Sequence, residues 1–254
     1  MTQNRTALVT GGGRGIGRAI ALRLAEDGHA VAVASRSRAQ LDAVVSEIGA
    51  AGGRALAVPC DVTRPEDVKR TVTAVRQAFG DVTVLVNNAG VSGPLGPIGL
   101  VDPQAWWAAQ TVHVLGSLLF MTEIVPRMVE RGGGRIINVC SVAGVIVANN
   151  FSSYAVAKST LIRLSEHVAA ERHDENIQVF PIQPGTILTD MARDTLALPD
   201  AAKWAAPLVG MLQQVTAEQS DRATRRLQDF VSALAAGRFD GMSGRYLDVD
   251  QEFA

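Results

Sequence analysis

Seven apolar runs alternate along the chain with longer amphipathic stretches, and this alternation limits the possible folds more than any other feature. The runs are continuous rather than alternately apolar and polar, which is typical of strands buried on both faces. Strands separated by helices pair in parallel through right-handed crossovers. The sequence therefore predicts an α/β fold, with helices on both faces of a doubly wound parallel sheet of about seven strands. The predicted strands are 7–10, 30–35, 54–59, 82–87, 135–139, 178–182 and 246–249.

The amphipathic stretches predict five helices, and no linker, repeat or low-complexity tract divides them into separate units. The chain is therefore expected to form a single domain over residues 1–254. Two further stretches, 92–99 and 187 to about 219, follow strands and have the composition of long loops or short helices. Ligands of such folds bind outside the carboxyl ends of the strands, so 187–219 is the expected substrate-loop region. The predicted helices are 15–27, 38–51, 65–79, 103–131 and 152–173.

Composition excludes several classes of function. Of 254 residues, 47% are hydrophobic, enough to form a buried core. The 24 basic and 25 acidic residues nearly cancel, which argues against a nucleic-acid or anionic-membrane binder. No unbroken apolar run approaches the roughly 18 residues of a membrane span. Two cysteines, Cys60 and Cys140, are too few for a disulfide framework, and no metal site is evident. We expect a cytoplasmic protein that acts on a small molecule.

A glycine-rich turn connects the first predicted strand to the first predicted helix. It reads Thr10-Gly11-x-x-x-Gly15-Ile16-Gly17. Glycines permit a tight turn, allow backbone N–H groups to approach a pyrophosphate, and let the helix pack closely on the sheet. A glycine turn without a ligand is the alternative, but the position directly after a buried strand favours a dinucleotide.

The end of the second predicted strand bears on the choice between NAD and NADP. An acidic residue there normally binds the ribose 2′-hydroxyl, whereas arginine accommodates a 2′-phosphate. The sequence has Ser35 and Arg36 at this point, and Arg14 in the glycine turn can face the same pocket. The alternative is that these are solvated arginines in a chain with 21 Arg and 3 Lys. The pattern favours NADP(H) over NAD(H).

Tyr154 and Lys158 are four residues apart on one face of a predicted helix. A phenol with a pKa near 10 is a poor acid–base catalyst, and lowering that pKa to about 7 requires roughly 4 kcal/mol. The positive charges of Lys158 and an oxidised nicotinamide are able to supply this energy. The alternative is an exposed contact between two side chains four residues apart on a helix, with no role in catalysis. Ser141, after the fifth strand, either donates to a substrate oxygen or caps a turn. Neighbouring Cys140 is interpreted as a buried strand cysteine rather than a nucleophile.

Taken together, these elements resemble the short-chain dehydrogenase/reductase family over essentially the full chain. The matching elements are Thr10-Gly-Gly-Gly-Arg-Gly-Ile-Gly17, Cys60-Asp61-Val62, Asn87-Asn-Ala-Gly90, Ser141, Tyr154-x-x-x-Lys158 and Pro184-Gly185-x-x-x-Thr189. The resemblance implies a Rossmann-type fold, an NAD(P) cofactor and a homotetramer built on helices 103–131 and 152–173. It also implies interconversion of a ketone or aldehyde with its alcohol.

The resemblance implies a role for each matching residue. Tyr154 is the expected general acid for reduction and the base for oxidation. Ser141 is expected to orient the carbonyl, and Lys158 to lower the tyrosine pKa and hold the nicotinamide ribose. The remaining expected cofactor contacts are Asp61 and Val62 at the adenine, Asn88 and Gly90 near the ribose, Thr189 at the carboxamide, and Pro184 and Gly185 beside it.

One position departs from the family pattern. Where the family usually has Asn in an Asn-x-x-Gly context, this chain reads His113-Val-Leu-Gly116. Histidine can donate, accept and titrate near neutral pH, so a modified proton relay is one hypothesis. A helix histidine that only fills the space is the other. A catalytically silent NADP-binding regulator on the same fold is the alternative to an enzyme, and the intact Ser141, Tyr154 and Lys158 set argues against it.

Overall fold

A computed structural model describes residues 5–198 and 200–252, and its centre is a seven-stranded sheet in which all paired strands run parallel. The strand order is β3-β2-β1-β4-β5-β6-β7. The predicted fold class is confirmed, and every predicted strand is present within two residues of its predicted bounds. The strands are β1 (Thr6–Thr10), β2 (Ala30–Ser35), β3 (Arg54–Pro59), β4 (Val84–Asn87), β5 (Gly134–Val139), β6 (Ile177–Gln183) and β7 (Leu247–Asp248).

Helices follow the strands and cover both faces of the sheet. Those of the first half are α1 (Gly15–Glu26), α2 (Arg38–Ala50), α3 (Pro65–Phe79), α4 (Pro103–Gln110) and α5 (Gly116–Glu130). Those of the second half are α6 (Ser152–Glu171), α7 (Asp190–Leu196), α8 (Ala201–Trp204), α9 (Ala206–Gln214), α10 (Ala217–Ala235) and α11 (Val249–Glu252). The predicted substrate-loop region thus consists mainly of the short helices α7 to α9. Pro199 and the ends of the predicted domain, 1–4 and 253–254, lie outside the described residues.

The predicted helix 103–131 is wrong as a single α-helix, because one π-helical turn, Thr111–Leu115, separates α4 from α5. Such turns insert a residue into the helical ladder and are frequent at functional sites. The combined stretch Pro103–Glu130 is 28 residues long and apolar enough to cross a membrane by length and composition. In this fold its buried face packs on the sheet through Phe120, Ile124 and Met128.

Two hydrophobic clusters form the core, one on each face of the sheet. Because successive strand residues point to opposite faces, β1 contributes Ala7 and Val9 to one cluster and Leu8 to the other. The cluster containing Val9 is closed by α1, α2 and α10, and the cluster containing Leu8 by α3 and α5.

Helix α10 was not predicted. Thr216 and Gln219 form a reciprocal capping box at its start, which satisfies two of the free N–H groups there. Leu227, Phe230 and Leu234 recur at helical spacing and are fully buried. The capping box and this spacing were the available sequence signals.

The topology determines where a ligand binds. The chain leaves β1 toward β2 on one side, and β4 lies on the other side of β1. A crevice opens at the carboxyl end of the sheet where the connections diverge in this way. The glycine turn after β1 and the loop after β4 both lie at this crevice.

Candidate active site

A cavity of about 830 Å³ occupies the carboxyl edge of the sheet. Its walls come from the turns after β1 to β6, from the π-helical turn, and from α6, α7 and α9. The structure brings all the predicted site residues into these walls. They are Gly11, Arg14, Gly15, Ile16, Gly17, Ser35, Arg36, Asp61, Val62, Asn88, Gly90, His113, Ser141, Tyr154, Lys158, Pro184, Gly185 and Thr189.

The glycine turn has the shape of a backbone cradle. Gly11 and Gly15 have φ angles of 63° and 53°, in the left-handed region that favours glycine. A Cβ on Gly17 would lie 2.3 Å from the Gly11 carbonyl oxygen, so the first turn of α1 can approach the loop only because residue 17 is glycine. The Asn88 amide donates to the carbonyl oxygens of Thr10, at 2.9 Å, and Gly11, at 3.2 Å, which fixes the turn against β4. The cradle fits a dinucleotide pyrophosphate.

The β2 end of the cavity has hydroxyl and basic groups. The Ser35 Oγ atom is buried and has no hydrogen-bond partner among the described residues. Arg36 and Gln40 line the same part of the wall, and no described Asp or Glu follows β2 there. Asp61, after β3, is already an acceptor for the Thr63 backbone N–H, at 3.0 Å, and its hydroxyl, at 2.7 Å. An unpartnered hydroxyl and a basic residue in the same part of the wall fit a ribose phosphate.

Arg14 lies in the cavity wall, as Arg36 does, and its guanidinium is near two acidic residues. It lies 3.7 Å from a carboxylate oxygen of Asp190 and 3.7 Å from one of Asp194, both on α7. Arg14 and Arg36 thus line the same cavity, and a contact of Arg14 with a 2′-phosphate stays a prediction. Helix α7 lies next to the glycine turn in space although it is distant in sequence. Its acidic residues attract the Arg14 side chain.

Tyr154 lies in the first turn of α6, between an aromatic ring and an imidazole. The Phe151 ring stacks on it, with centroids 4.8 Å apart and an interplanar angle of 8°. The His113 ring approaches edge-on, with centroids 5.4 Å apart. Burial raises the pKa of the phenol to about 12, although a hydrogen bond with Ser141 opposes this shift. The protein side chains thus keep Tyr154 as a protonated phenol, able to donate a proton.

Lys158 lies one helical turn further along α6 and is only 3% exposed. Its Nζ atom donates to the Val139 carbonyl oxygen at 2.6 Å and lies 5.4 Å from the centroid of the Tyr154 ring. Burial lowers the pKa of Lys158 to about 8. Lowering of the tyrosine pKa by Lys158 together with an oxidised nicotinamide stays a prediction, since it concerns the cofactor-bound site.

Ser141 extends from the end of β5, in the turn that leads to a short 3-10 segment, Val142–Gly144. Its Oγ atom accepts from the Ala143 N–H at 3.2 Å. A hydroxyl that accepts in this way keeps its own hydrogen free to donate. Ser141 therefore caps the turn and can still bind a carbonyl oxygen presented to Tyr154, so the two alternative interpretations are compatible.

His113 lies in the middle of the π-helical turn and is 1% exposed. Its Nε2 atom is 2.8 Å from the Val91 carbonyl oxygen and 3.2 Å from the Val91 nitrogen. Nε2 accepts from the Val91 N–H in one tautomer and donates to the Val91 carbonyl oxygen in the other; the second tautomer makes the shorter contact and leaves Nδ1 as an acceptor. Nδ1 is buried and has no partner among the described residues. A Cβ on Gly90 would lie 2.4 Å from the imidazole, so glycine at that position admits the ring.

The charge state of His113 follows from its surroundings. Burial, together with the nearby Lys158 cation, lowers its pKa to about 3. The imidazole is neutral at physiological pH, so it cannot serve as a proton donor by titration near neutrality. A relay through His113 would use Nδ1 only as a hydrogen-bond acceptor.

Cys140 is 1% exposed, and burial raises its pKa to about 12, so it is a protonated thiol and not a nucleophile. Over residues 5–198 and 200–252, no group of three or more His, Cys, Asp or Glu side chains is arranged to bind a metal. The chemistry available at the site is therefore proton donation by a phenol beside a hydrogen-bonding serine and a lysine.

Several wall residues were not singled out from the sequence, Gln40, Phe151 and Gln183 among them. Gln40 lies next to Ser35, Phe151 stacks on Tyr154, and Gln183 accepts from the Val142 N–H at 3.1 Å through its side chain. Gln183 ends β6, and a polar residue at a strand's carboxyl end was an available signal. Gln40 and Phe151 carry no signal of this kind, because they reach the cavity through the packing of α2 and α6.

Comparisons with known proteins agree with this geometry. The family model described as short chain dehydrogenase matches residues 5–198. The 3-oxoacyl-acyl-carrier-protein reductase FabG of Staphylococcus epidermidis is 33% identical over 248 residues, which cover 97% of this chain and 98% of that protein. A cyclohexanol dehydrogenase of Acinetobacter sp. is 35% identical over 188 residues, covering 74% of this chain and 75% of that protein. The structure of an NAD+-bound xylitol dehydrogenase superposes with a TM-score of 0.85 and 28% identity, covering 96% of this chain and 97% of that one.

Proposed function

The chain belongs to the short-chain dehydrogenase/reductase family of NAD(P)-dependent oxidoreductases acting on CH–OH and C=O groups, and we propose that it uses NADP(H) to interconvert a ketone or aldehyde with its alcohol. The observation that carries the proposal is the half-buried Tyr154 phenol, with Ser141 and Lys158 near it, facing the same cavity as the glycine cradle. In the reducing direction, carbonyl, NADPH and one proton give alcohol and NADP+.

Each of the three side chains has a distinct part in this chemistry. NADPH, when bound, supplies the hydride that reduces the carbonyl carbon. Ser141 donates a hydrogen bond to the carbonyl oxygen and so orients it toward the phenol. Tyr154 gives its proton to the same oxygen as negative charge develops there. Lys158, bonded to the Val139 carbonyl oxygen, keeps a positive charge beside the ring and stabilises the phenolate that results.

The preference for NADP(H) rests on the β2 end of the cavity. The unpartnered Ser35 hydroxyl and the Arg36 guanidinium provide a donor and a positive charge for a 2′-phosphate. The described wall has no carboxylate after β2 to bind a ribose 2′-hydroxyl. Arg14, bound to Asp190 and Asp194, supports this preference less than the sequence indicated.

A homo-oligomer, as a tetramer, is part of the same proposal. Trp107, Leu118 and Val156 are 65%, 42% and 44% exposed, and they lie on α4, α5 and α6, the helices on which the proposed assembly is built. We expect these side chains to be covered in the assembly, since large exposed apolar patches mark protein interfaces. Trp106, by contrast, packs inward and donates to the Ser152 hydroxyl at 3.0 Å.

The test is oxidation of NADPH and NADH, followed at 340 nm, against a panel of ketones, aldehydes and 3-oxoacyl thioesters. The control is Tyr154→Phe, which keeps the ring that stacks on Phe151 and removes only the hydroxyl. We expect turnover with NADPH that falls at least 1,000-fold in the control, roughly the contribution of a lost general acid together with the charge it neutralises. Tight NADPH binding without turnover of any substrate would favour the silent regulator instead.

A further inference from the structure

Most of the charged side chains in the cavity wall lie at the cofactor end. In the described part of the chain they are Arg14, Arg36, Asp61, Lys158 and Asp190. The first three follow β1, β2 and β3. Asp190 lies beside the glycine turn, 3.7 Å from the Arg14 guanidinium. Four of the five therefore surround the dinucleotide cradle, and only Lys158 lies near the reacting groups.

Lys158 is not placed to bind an anionic substrate. Lys158 is 3% exposed, and its ammonium donates to the Val139 carbonyl oxygen at 2.6 Å, so it is already bonded within the protein. His113, the other basic side chain near the phenol, is a neutral acceptor. A carboxylate or phosphate on the substrate would find no cation in this part of the wall.

The part of the cavity wall formed by segment 142–151 and helix α9 is mostly aliphatic, with the neutral amide of Asn149 among its groups. The segment 142–151 contains no charged residue and contributes Ile146 and Val147, which are 57% and 89% exposed at the cavity mouth. Helix α9 contributes Leu208, Met211 and Leu212 to the facing wall. Met211 is 46% exposed, so aliphatic groups on both sides of the mouth are open to an incoming molecule.

The charged residues near this mouth are either acidic or in contact with another side chain of the protein. In segment 187–219, Arg193 is paired with Asp190 at 3.1 Å, and the Lys203 ammonium lies 4.3 Å from the centroid of the Trp204 ring. The same segment has four acidic residues and these two basic ones, so its formal charge is −2. Segment 92–99 has no charged residue. The mouth therefore offers no basic surface to an anionic group.

We propose that the substrate is an uncharged ketone or secondary alcohol whose substituents are hydrocarbon, and that substrates bearing a carboxylate or phosphate are rejected. The inference rests on the proposed function and specifies its substrate class. Ser141 and Tyr154 bind the reacting oxygen, and the other polar side chains in this part of the wall, such as Asn149, are uncharged. The remainder of the molecule is held by burial against the aliphatic wall, where the flexible Met191 and Met211 side chains adapt to its shape.

The first test compares matched substrates with saturating NADPH. The series is cyclohexanone, 4-methylcyclohexanone and 4-ethylcyclohexanone, with 4-oxocyclohexanecarboxylate as the charged counterpart. We expect kcat/KM to rise about two- to fourfold for each added carbon, as burial of a methylene predicts. We expect the carboxylate to be reduced at least about 100-fold less efficiently than 4-ethylcyclohexanone, because its charge would lose water without gaining a partner. Equal or better reduction of the carboxylate, or no gain along the series, would overturn the proposal.

The second test introduces a cation at the mouth. Met211→Lys should reduce the ratio of kcat/KM for 4-ethylcyclohexanone to kcat/KM for the carboxylate at least tenfold. Most of this change should come from a lower KM for the carboxylate. Leu100→Lys is the matched control, because Leu100 is 72% exposed and lies outside the cavity wall. It should leave the ratio unchanged. NADPH affinity, measured by fluorescence, should be the same in both variants and the wild type. An equal effect of the two substitutions would contradict the assignment of this wall to the substrate.

Failure of the substrate class and failure of the proposed function give different results. If ketones are reduced but the carboxylate is preferred, only the substrate class is wrong. If NADPH binds and no ketone is reduced, the proposed function is wrong. Calorimetry on the NADPH-loaded protein then still tests the substrate class. The proposed class predicts that 4-ethylcyclohexanone binds and that 4-oxocyclohexanecarboxylate does not. The reverse order of affinities would overturn it.

Discussion

The Nε2 atom of His113 lies 2.8 Å from the carbonyl oxygen of Val91, and this contact determines what the imidazole can do. With its proton on Nε2, the ring presents an unprotonated Nδ1 atom that is buried and unpartnered among the described residues. The Lys158 cation nearby helps to keep it neutral. His113 is therefore a fixed acceptor beside the Tyr154 ring, and its two sequence-based interpretations can be separated by experiment.

Burial of neutral His113 makes the protein less stable in acid. Its pKa is about 3 in the fold and near 6.5 when unfolded, so below pH 6.5 the unfolded chain binds a proton that the folded one does not. Stability is therefore full above pH 6.5 and decreases as the pH falls toward 3, by about 2 kcal/mol between pH 6.5 and 5. His113→Asn should remove this component, as measured by urea unfolding at the two pH values. His173→Asn, at a side chain 85% exposed, should retain it. Equal pH slopes in the two variants would contradict the assignment.

His113→Asn also separates a polar role from space filling. Asn keeps an acceptor and a donor in the π-helical turn, whereas His113→Leu fills the space with hydrocarbon. If Nδ1 acts as an acceptor in catalysis, kcat should be largely kept by Asn and reduced at least about tenfold by Leu, the effect of one lost buried hydrogen bond. Circular dichroism and NADPH binding would confirm that both variants fold. Equal kcat values for Asn and Leu would support space filling.

The preference between NADPH and NADH should change when the residues at the end of β2 are substituted. Ser35→Asp places a carboxylate where the 2′-phosphate is expected, so KM for NADPH should rise at least about tenfold while KM for NADH falls. Arg36→Ala should weaken NADPH by about 10- to 100-fold through the loss of a charge-assisted contact, with little effect on NADH. Arg38→Ala is the control, because Arg38 pairs with Asp42 at 2.8 Å on the exposed side of α2. A wild type that prefers NADH would refute the NADP assignment.

The reduction rate should fall in mild alkali. Lys158 has a pKa of about 8 and Tyr154 one of about 12, so the lysine loses its charge first while the phenol keeps its proton. We expect kcat for ketone reduction to be constant from pH 6 to 7 and to decline above about 8. Thermal unfolding over the same range would distinguish this decline from loss of structure. A rate that stays constant to pH 10 would show that the ammonium does not assist the step.

Glycine at position 17 should be indispensable. In Gly17→Ala the new methyl group would lie 2.3 Å from the Gly11 carbonyl oxygen and 2.4 Å from Asn88 Nδ2, and neither can move without distorting the cradle. We expect a loss of about 1–3 kcal/mol in stability, or roughly 2–12 °C in Tm. NADPH binding should weaken as well. Gly49→Ala is matched, because it lies in helix α2 with no atom within 4 Å of the new Cβ, and it should be neutral or stabilising. Equal Tm values would contradict the tight fit.

Local patterns account for most of what the sequence predicted. Apolar runs such as 30–35 specify buried strands by themselves, and the glycine spacing after Thr10 specifies the turn, so the sheet and its ligand edge were predictable. Ser141 follows strand β5, and Tyr154 and Lys158 lie in the next long helix. Their positions along the chain therefore also placed them near that edge. The direction of the Arg14 side chain was not predictable, because Asp190 and Asp194 meet it only through tertiary packing. The pKa of Tyr154 depends in the same way on the ring of Phe151 and on burial, neither of which the Tyr154–Lys158 spacing specifies.

Transfer of deuterium is the most direct test of the central claim, that this cavity reduces a carbonyl group. The enzyme is given NADPH deuterated on carbon 4 of the nicotinamide, as each of the two stereoisomers in turn, together with 4-ethylcyclohexanone. The alcohol product is then analysed by mass spectrometry. The account predicts an alcohol one mass unit heavier with one stereoisomer and unlabelled with the other, and no product with Tyr154→Phe. Consumption of NADPH without deuterium in the alcohol from either stereoisomer would contradict it.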